Sequence, residues 1–157
     1  MRRHNELADK VRALANEISD APIVPENSKF EQLARSLSSF SDNAIQWIRD
    51  GQRLSREGEY QHNCVFCYRR QITEDACAIF HMDRSDQSYT IRIEEERGRF
   101  YVAEMRARFN KPYLREDYAF VRGLVREVNW RNKGYDIPQQ YNLFGEEVPV
   151  DLEGWIF

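Results

Sequence analysis

Leu7, Val11, Leu14 and Ile18 recur four, three and four residues apart with charges between them, which predicts an amphipathic helix over residues 1–20. Pro22 and Pro25 bias the residues before them away from helical backbone and break it. Ser28 then reads as the cap of a short helix carrying Phe30, Leu33, Leu37 and Phe40 on one side. Ser41-Asp42-Asn43 is a second cap signal, opening a helix through Ala44, Ile45, Trp47 and Ile48 that weakens at Gly51 and stops at Gly58. Residues 60–73 follow as a short helix with Cys64, Val65, Tyr68 and Ile72 on one stripe.

The hydrophobic period then changes. Residues 76–82 form a short apolar run, and Tyr89-Thr90-Ile91-Arg92-Ile93-Glu94 alternates with period two. Turn residues fill 83–88, and a second turn at Glu96-Arg97-Gly98 leads into an extended stretch over 99–106. Three strands joined by short polar turns predict an antiparallel meander whose apolar face is covered by helices. Asn110-Lys111-Pro112 ends the last strand. Glu116 and Asp117 open a helix with Phe120, Leu124 and Val128 as its buried stripe, closed by Asn132-Lys133-Gly134. The expected class is α+β: N-terminal helices, a three-stranded antiparallel meander, one C-terminal helix and an extended tail. Residues 1–134 read as one domain (1–42 helical, 43–134 the core), and 135–157 as the tail.

Composition narrows the function. Hydrophobic residues at 41% and aromatics at 13% exclude a fully disordered chain, and 157 residues suffice for a core without staples. A net charge of −3 excludes bulk electrostatic binding of nucleic acid, so any such role needs a local patch. The charged N-terminus lacks the apolar segment of a signal peptide, and no apolar run reaches membrane-spanning length. With three cysteines, this predicts a cytoplasmic protein with reduced or metal-bound thiols.

Chemistry concentrates in His62-Asn63-Cys64-Val65-Phe66-Cys67-Tyr68 and the strand after it. Cys64 and Cys67, with Cys77 and His81 downstream, are thiolate and imidazole donors of the kind that hold zinc. On one strand, however, Cys77 and His81 lie about 13 Å apart, whereas zinc needs every donor within roughly 2.3 Å. The alternative makes Cys64 and Cys77 small buried hydrophobes. A Cys64–His62 nucleophile is a third reading, weakened because residues two apart on a helix point in different directions. No cofactor is expected, with zinc the alternative.

Taken with its surroundings, the segment resembles the PcfJ-like family of plasmid- and phage-encoded proteins. That family carries a helix running into Glu-Gly and then a His-Cys-Val-x-x-Tyr core, matched here by Arg56-Glu57-Gly58 and the segment from His62 to Tyr68. Ala78-Ile79-Phe80-His81-Met82 and Tyr89-Thr90-Ile91-Arg92-Ile93 match its next two strands. Glu104-Met105-Arg106-Ala107-Arg108-Phe109-Asn110 matches its Gln-x-Arg-Gly-x-x-Asn. Glu104, Ala107 and His81 stand where the family usually has Gln, Gly and Arg. The resemblance covers roughly residues 45–130. It implies an α+β domain carried on a mobile element, without an established reaction, and points to His62, Tyr68, Arg106 and Asn110 as a shared polar site. Packing of the Cys, Val and Tyr against the sheet is the competing account.

Two further stretches suggest partners. Gln140-Tyr141-Asn142-Leu143-Phe144 is similar to the bacterial sliding-clamp binding pentapeptide, in which Leu-Phe fills an apolar pocket and Gln fixes register; Gln140, Leu143 and Phe144 would make those contacts. Arg97, Arg99, Arg106, Arg108 and Lys111, interleaved with aromatics, form a candidate nucleic-acid patch that Arg122, Arg126 and Arg131 would extend. The resulting expectation is an accessory protein of a phage or plasmid. It would bind host or element nucleic-acid machinery, including inhibition of a nucleic-acid-targeting host defence complex. An enzyme using Cys64 and His62 beside the sheet is the alternative, with a small zinc-binding nucleic-acid module as the third.

Overall fold

Helix α1, Glu31–Phe40, forms where Phe30, Leu33 and Leu37 recur on one face, and all three are buried. In this computed structural model the described residues are Lys10, 21–133, 140–141 and 147–148; the predicted N-terminal helix, apart from Lys10, lies outside them. Ser28 works differently from a helix cap. Its hydroxyl accepts from the Phe30 N–H at 3.1 Å and donates to Asp75 at 2.5 Å, fixing the approach to α1, while Phe30 at the cap position has no side-chain cap.

Ser41-Asp42-Asn43 closes α1 instead of opening a new helix. Asp42 and Asn43 take left-handed backbone, which short polar side chains tolerate, and the Ser41 hydroxyl accepts from the Ile45 N–H at 3.0 Å. The chain leaves this turn as a strand, β1 (Ile45–Trp47), with Ile45 and Trp47 buried and Gln46 exposed. The helical reading of this stretch is therefore corrected. Ile45 and Ile48, three apart, mimic a helical pair, but β1 pairs antiparallel with β2, setting Ile45 opposite Met82 and Trp47 opposite Phe80. The meander accordingly has four strands, not three.

Helix α2, Gly51–Gln61, starts later than expected because Asp50 caps it, accepting from the Arg53 N–H at 2.7 Å. Asp50→Ala is expected to cost about 1 kcal/mol, roughly 3 °C in a thermal melt, and an unchanged melt would remove the cap's role. Gly58 does not end α2. A Cβ there would meet the Asn63 carbonyl at 3.3 Å and Val65 Cγ1 at 3.5 Å, so glycine lets the following loop cross the helix closely. The helix ends at Gln61, with His62 in left-handed backbone.

A 3-10 turn, Val65–Tyr68, runs into the short helix α3, Arg69–Thr73. This replaces the predicted continuous helix: Val65 and Ile72 are buried, but Cys64 is exposed. Strands β2 (Cys77–Arg84), β3 (Gln87–Glu96) and β4 (Arg99–Ala107) complete an antiparallel sheet in the order β1-β2-β3-β4. The fold class is α+β, as the sequence predicts. Helix α4, Arg115–Asn132, follows a 3-10 turn over Arg108–Asn110. Its fully buried stripe is Asp117, Val121, Val125 and Val128; Phe120 and Leu124, predicted to be central, are half-buried at its margin.

Helices cover both faces of the sheet. On one, Phe80, Met82, Tyr89, Ile91 and Met105 pack with Phe30, Leu33 and Leu37 of the α1 segment and the valines of α4. On the other, Cys77 and Ile79 pack with Leu54, Val65 and Ile72, which cover only part of that face. Gln140–Tyr141 pairs antiparallel with Glu147–Val148, while Leu143 and Phe144 of the clamp-like pentapeptide lie outside the described residues. None of the helices described is long and apolar enough to cross a membrane.

Candidate functional site

Strict alternation along β3 sends Tyr89, Ile91 and Ile93 into the larger core and turns Thr90, Arg92 and Glu94 to the opposite face. On β4 the same face is reached through a β-bulge. Arg92 opposes Glu104 and Ile93 opposes Val102, so Ala103 is the extra residue. The bulge inverts the inside-outside parity of the strand: Phe100 is buried before it, and Met105 and Ala107 after it. Glu104 and Arg106 thereby join Thr90 and Arg92 on the polar face.

The segment from His62 to Tyr68 forms the facing wall. Asn63 holds it in place, its side-chain oxygen accepting from the Val65 N–H at 3.0 Å and its amide donating to Thr90 Oγ1 at 3.1 Å. Phe109 and Asn110 both take left-handed backbone after β4, and the Phe109 ring stacks on His62 at 4.5 Å between centroids. His62, Cys64, Tyr68, Arg92, Glu104, Arg106 and Asn110 consequently line one cleft of about 290 Å³, floored by Ile79. The four polar residues singled out in the sequence, His62, Tyr68, Arg106 and Asn110, are all among them.

Arg92 is the cleft's organising charge. Its guanidinium lies 4.6 Å from the Tyr68 ring centroid, 2.9 Å from Glu94 and 3.5 Å from Glu104. Glu104 also accepts from the Tyr68 hydroxyl at 3.3 Å and pairs with Arg106 at 3.6 Å. Burial, more than Glu104, pushes the Tyr68 hydroxyl above its ordinary pKa, so it stays a donor at neutral pH. Arg106, about half exposed, is the cation most open to an incoming group, with Asn110 exposed beside it. Arg92 and Glu104 were not singled out as site residues in the sequence. The available signal was an arginine between two isoleucines at mid-strand, where its head group must find charged or aromatic partners on the same face.

Beside the cleft, Glu57 of α2 is buried and accepts from Thr90 at 2.6 Å and Gln61 at 3.2 Å, and His81 Nδ1 lies 2.9 Å from it. His81 Nε2 meets Asp83 at 3.2 Å, so both ring nitrogens are committed. Hydrogen bonding to Glu57 raises the His81 pKa above 6.5, against a smaller opposing effect of burial.

The cysteine cluster is dispersed. Cys77 is buried in the sheet, where burial pushes its thiol up to about 11, while Cys64 and Cys67 are exposed. The reading of Cys64 as a buried hydrophobe is thus overturned, because the left-handed turn at His62 carries the segment outward. Among the described residues no three His, Cys, Asp or Glu side chains group as a metal ion requires. The His62 ring stacks on Phe109, and no hydrogen bond joins it to Cys64 among the described contacts.

The basic run also divides. Arg97 lies in the turn before β4, and Arg99 opens the strand about 23 Å along it from Arg106. Arg108 stacks over Tyr60 at 4.5 Å and donates to its carbonyl, with Lys111 exposed nearby. Arg131 is engaged with Glu127 at 2.8 Å and with the Phe40 ring.

Fold and cleft together define an α+β domain in which a polar site sits on the half-covered face of an antiparallel sheet. The chain belongs to the PcfJ-like protein family, whose family model matches residues 3–121. The match includes α1, consistent with the packing of α1 into the same core as the sheet. Neither the curated proteins nor the solved structures contain a match.

Proposed function

We propose that this protein is a mobile-element accessory protein that acts by binding host or element nucleic-acid machinery, with the cleft as the point of engagement. A nucleic-acid-targeting host defence complex, inhibited by occupation, is within that class of partner. The observation that carries the reading is the convergence of His62 and Tyr68 with Arg106 and Asn110, residues some forty positions apart, on one open cleft. Its chemistry suits recognition. Arg106 and Asn110 offer donors to a carboxylate, phosphate or amide, while Arg92 and Glu104 neutralise each other beneath them. Among the described residues no imidazole hydrogen-bonds Cys64, and His62 stacks on Phe109 instead, which favours binding over the enzyme reading.

Pull-down from a bacterial lysate tests the proposal. Tagged wild-type protein is expected to retain a protein partner or nucleic acid, and the double variant Arg106→Ala/Asn110→Ala to lose at least tenfold of it. Both side chains are exposed, so the variant should fold. No capture by the wild type, or equal capture by the folded variant, would overturn the reading.

A further inference from the structure

Cys64 and Cys67 are both free thiols, both exposed, and both line the cleft. Cys64 stands at the cap position of the 3-10 turn Val65–Tyr68, and the Cys67 N–H donates to the Cys64 carbonyl at 2.9 Å. In such a turn side chains three apart eclipse one another, and a rise of about 2 Å per residue sets their Cα atoms about 6 Å apart. A disulfide closes without backbone movement over roughly 4.4–6.8 Å, so this pair has the required spacing. The fold holds the turn at both ends. Asn63 accepts from the Val65 N–H at 3.0 Å and donates to Thr90 at 3.1 Å, Val65 is buried, and the Tyr68 ring lies 4.6 Å from the Arg92 guanidinium.

Cys77 does not compete for either partner, being buried in β2 with its thiol pushed up to about 11. Among the described residues no third His, Cys, Asp or Glu joins the pair as a metal ion requires, which leaves two-thiol chemistry. We propose that Cys64 and Cys67 form a thiol–disulfide exchange site in the cleft wall, oxidised by low-molecular-weight disulfides. The thiolate of one cysteine attacks a sulfur of the small disulfide, forming a mixed disulfide and expelling the first small thiolate. The thiolate of the other cysteine then attacks the protein-side sulfur, closing the Cys64–Cys67 bond and expelling the second. The two cysteine protons end on the two released thiols, so two electrons pass from the protein to the small disulfide, and excess small thiol reverses both steps. The site shares a wall with the cleft but needs no macromolecular partner, so it stands apart from the function proposed above.

The native full chain is equilibrated in glutathione buffers of increasing oxidised fraction, quenched with acid, denatured, alkylated with iodoacetamide and weighed by mass spectrometry. Reduced protein should carry three alkyl groups and oxidised protein one, on Cys77, with a peptide map joining Cys64 to Cys67. Cys64→Ser and Cys67→Ser should each stop at a mixed disulfide bearing one glutathione; both side chains are exposed, so thermal melts should match the wild type. The ratio [GSH]²/[GSSG] at half oxidation of this pair should be at least about tenfold higher for the native protein than for the chain in urea, because the folded turn presents the two sulfurs together. Arg106→Ala/Asn110→Ala should close the disulfide normally, which separates this inference from the cleft reading. No oxidation, two glutathiones retained without closure, or a disulfide to Cys77 in the native protein would overturn the proposal. Equal midpoints in the folded and unfolded chain would do the same.

Discussion

Asp117→Ala is expected to destabilise the domain by about 3 kcal/mol and lower its melting temperature by roughly 10 °C. Asp117 lies in the first turn of α4 and is fully buried. Its carboxylate accepts from the Tyr89 hydroxyl and from Ser85 Oγ at 2.8 Å, and pairs with Arg84 at 3.2 Å. The Tyr89 hydroxyl in turn accepts from the Leu114 N–H just before the helix, so one acid ties α4 to the β2–β3 hairpin. Alanine would strand a buried phenol whose pKa is pushed up to about 12, chiefly by burial, and remove a negative charge from a helix N-terminus. Asp117→Asn, which keeps an acceptor and the shape, should cost less. A denaturant melt of both variants checks this; equal, small effects would make Asp117 a spectator.

Removing Glu57 is expected to be comparably damaging, and it adds a pH signature. Glu57→Ala leaves Thr90, Gln61 and His81 without their common acceptor, a loss of about 3 kcal/mol. His81 has a folded-state pKa above the 6.5 it would have unfolded, so the fold prefers its protonated form. That contribution is complete below about pH 6.5 and disappears as pH rises through the folded value. Wild-type stability from this source therefore falls as pH rises above about 6.5. Glu57→Gln, which removes the charge and nearly preserves the volume, should flatten the decline relative to wild type. Parallel pH profiles for the two proteins would show that Glu57 does not set the His81 pKa.

Much of this protein was legible in its sequence. The period-two alternation from Tyr89 to Glu94 determines β3 and its two faces, and the spacing of Phe30, Leu33 and Leu37 determines α1. The sequence also singled out His62, Tyr68, Arg106 and Asn110 as one group, through a family resemblance rather than through spacing. Three features needed the tertiary structure. Ile45 to Ile48 fit a helix or a strand equally well, and only the partner residues Phe80 and Met82 select the strand. The β-bulge at Ala103 is invisible in the run from Phe100 to Ala107, because local alternation cannot reveal an extra residue until the neighbouring strand supplies a register. Without that inversion Glu104 and Arg106 would face the core, and the cleft would have neither its ion pair nor its open cation. Finally, the stripe of Cys64, Val65, Tyr68 and Ile72 reads as one helix, but the left-handed turn at His62 carries Cys64 to the surface and the imidazole onto Phe109. Local sequence thus determines which residues are apolar and how each strand and helix alternates. Which polar groups meet is decided by register and backbone reversals, and those depend on partners distant in the chain.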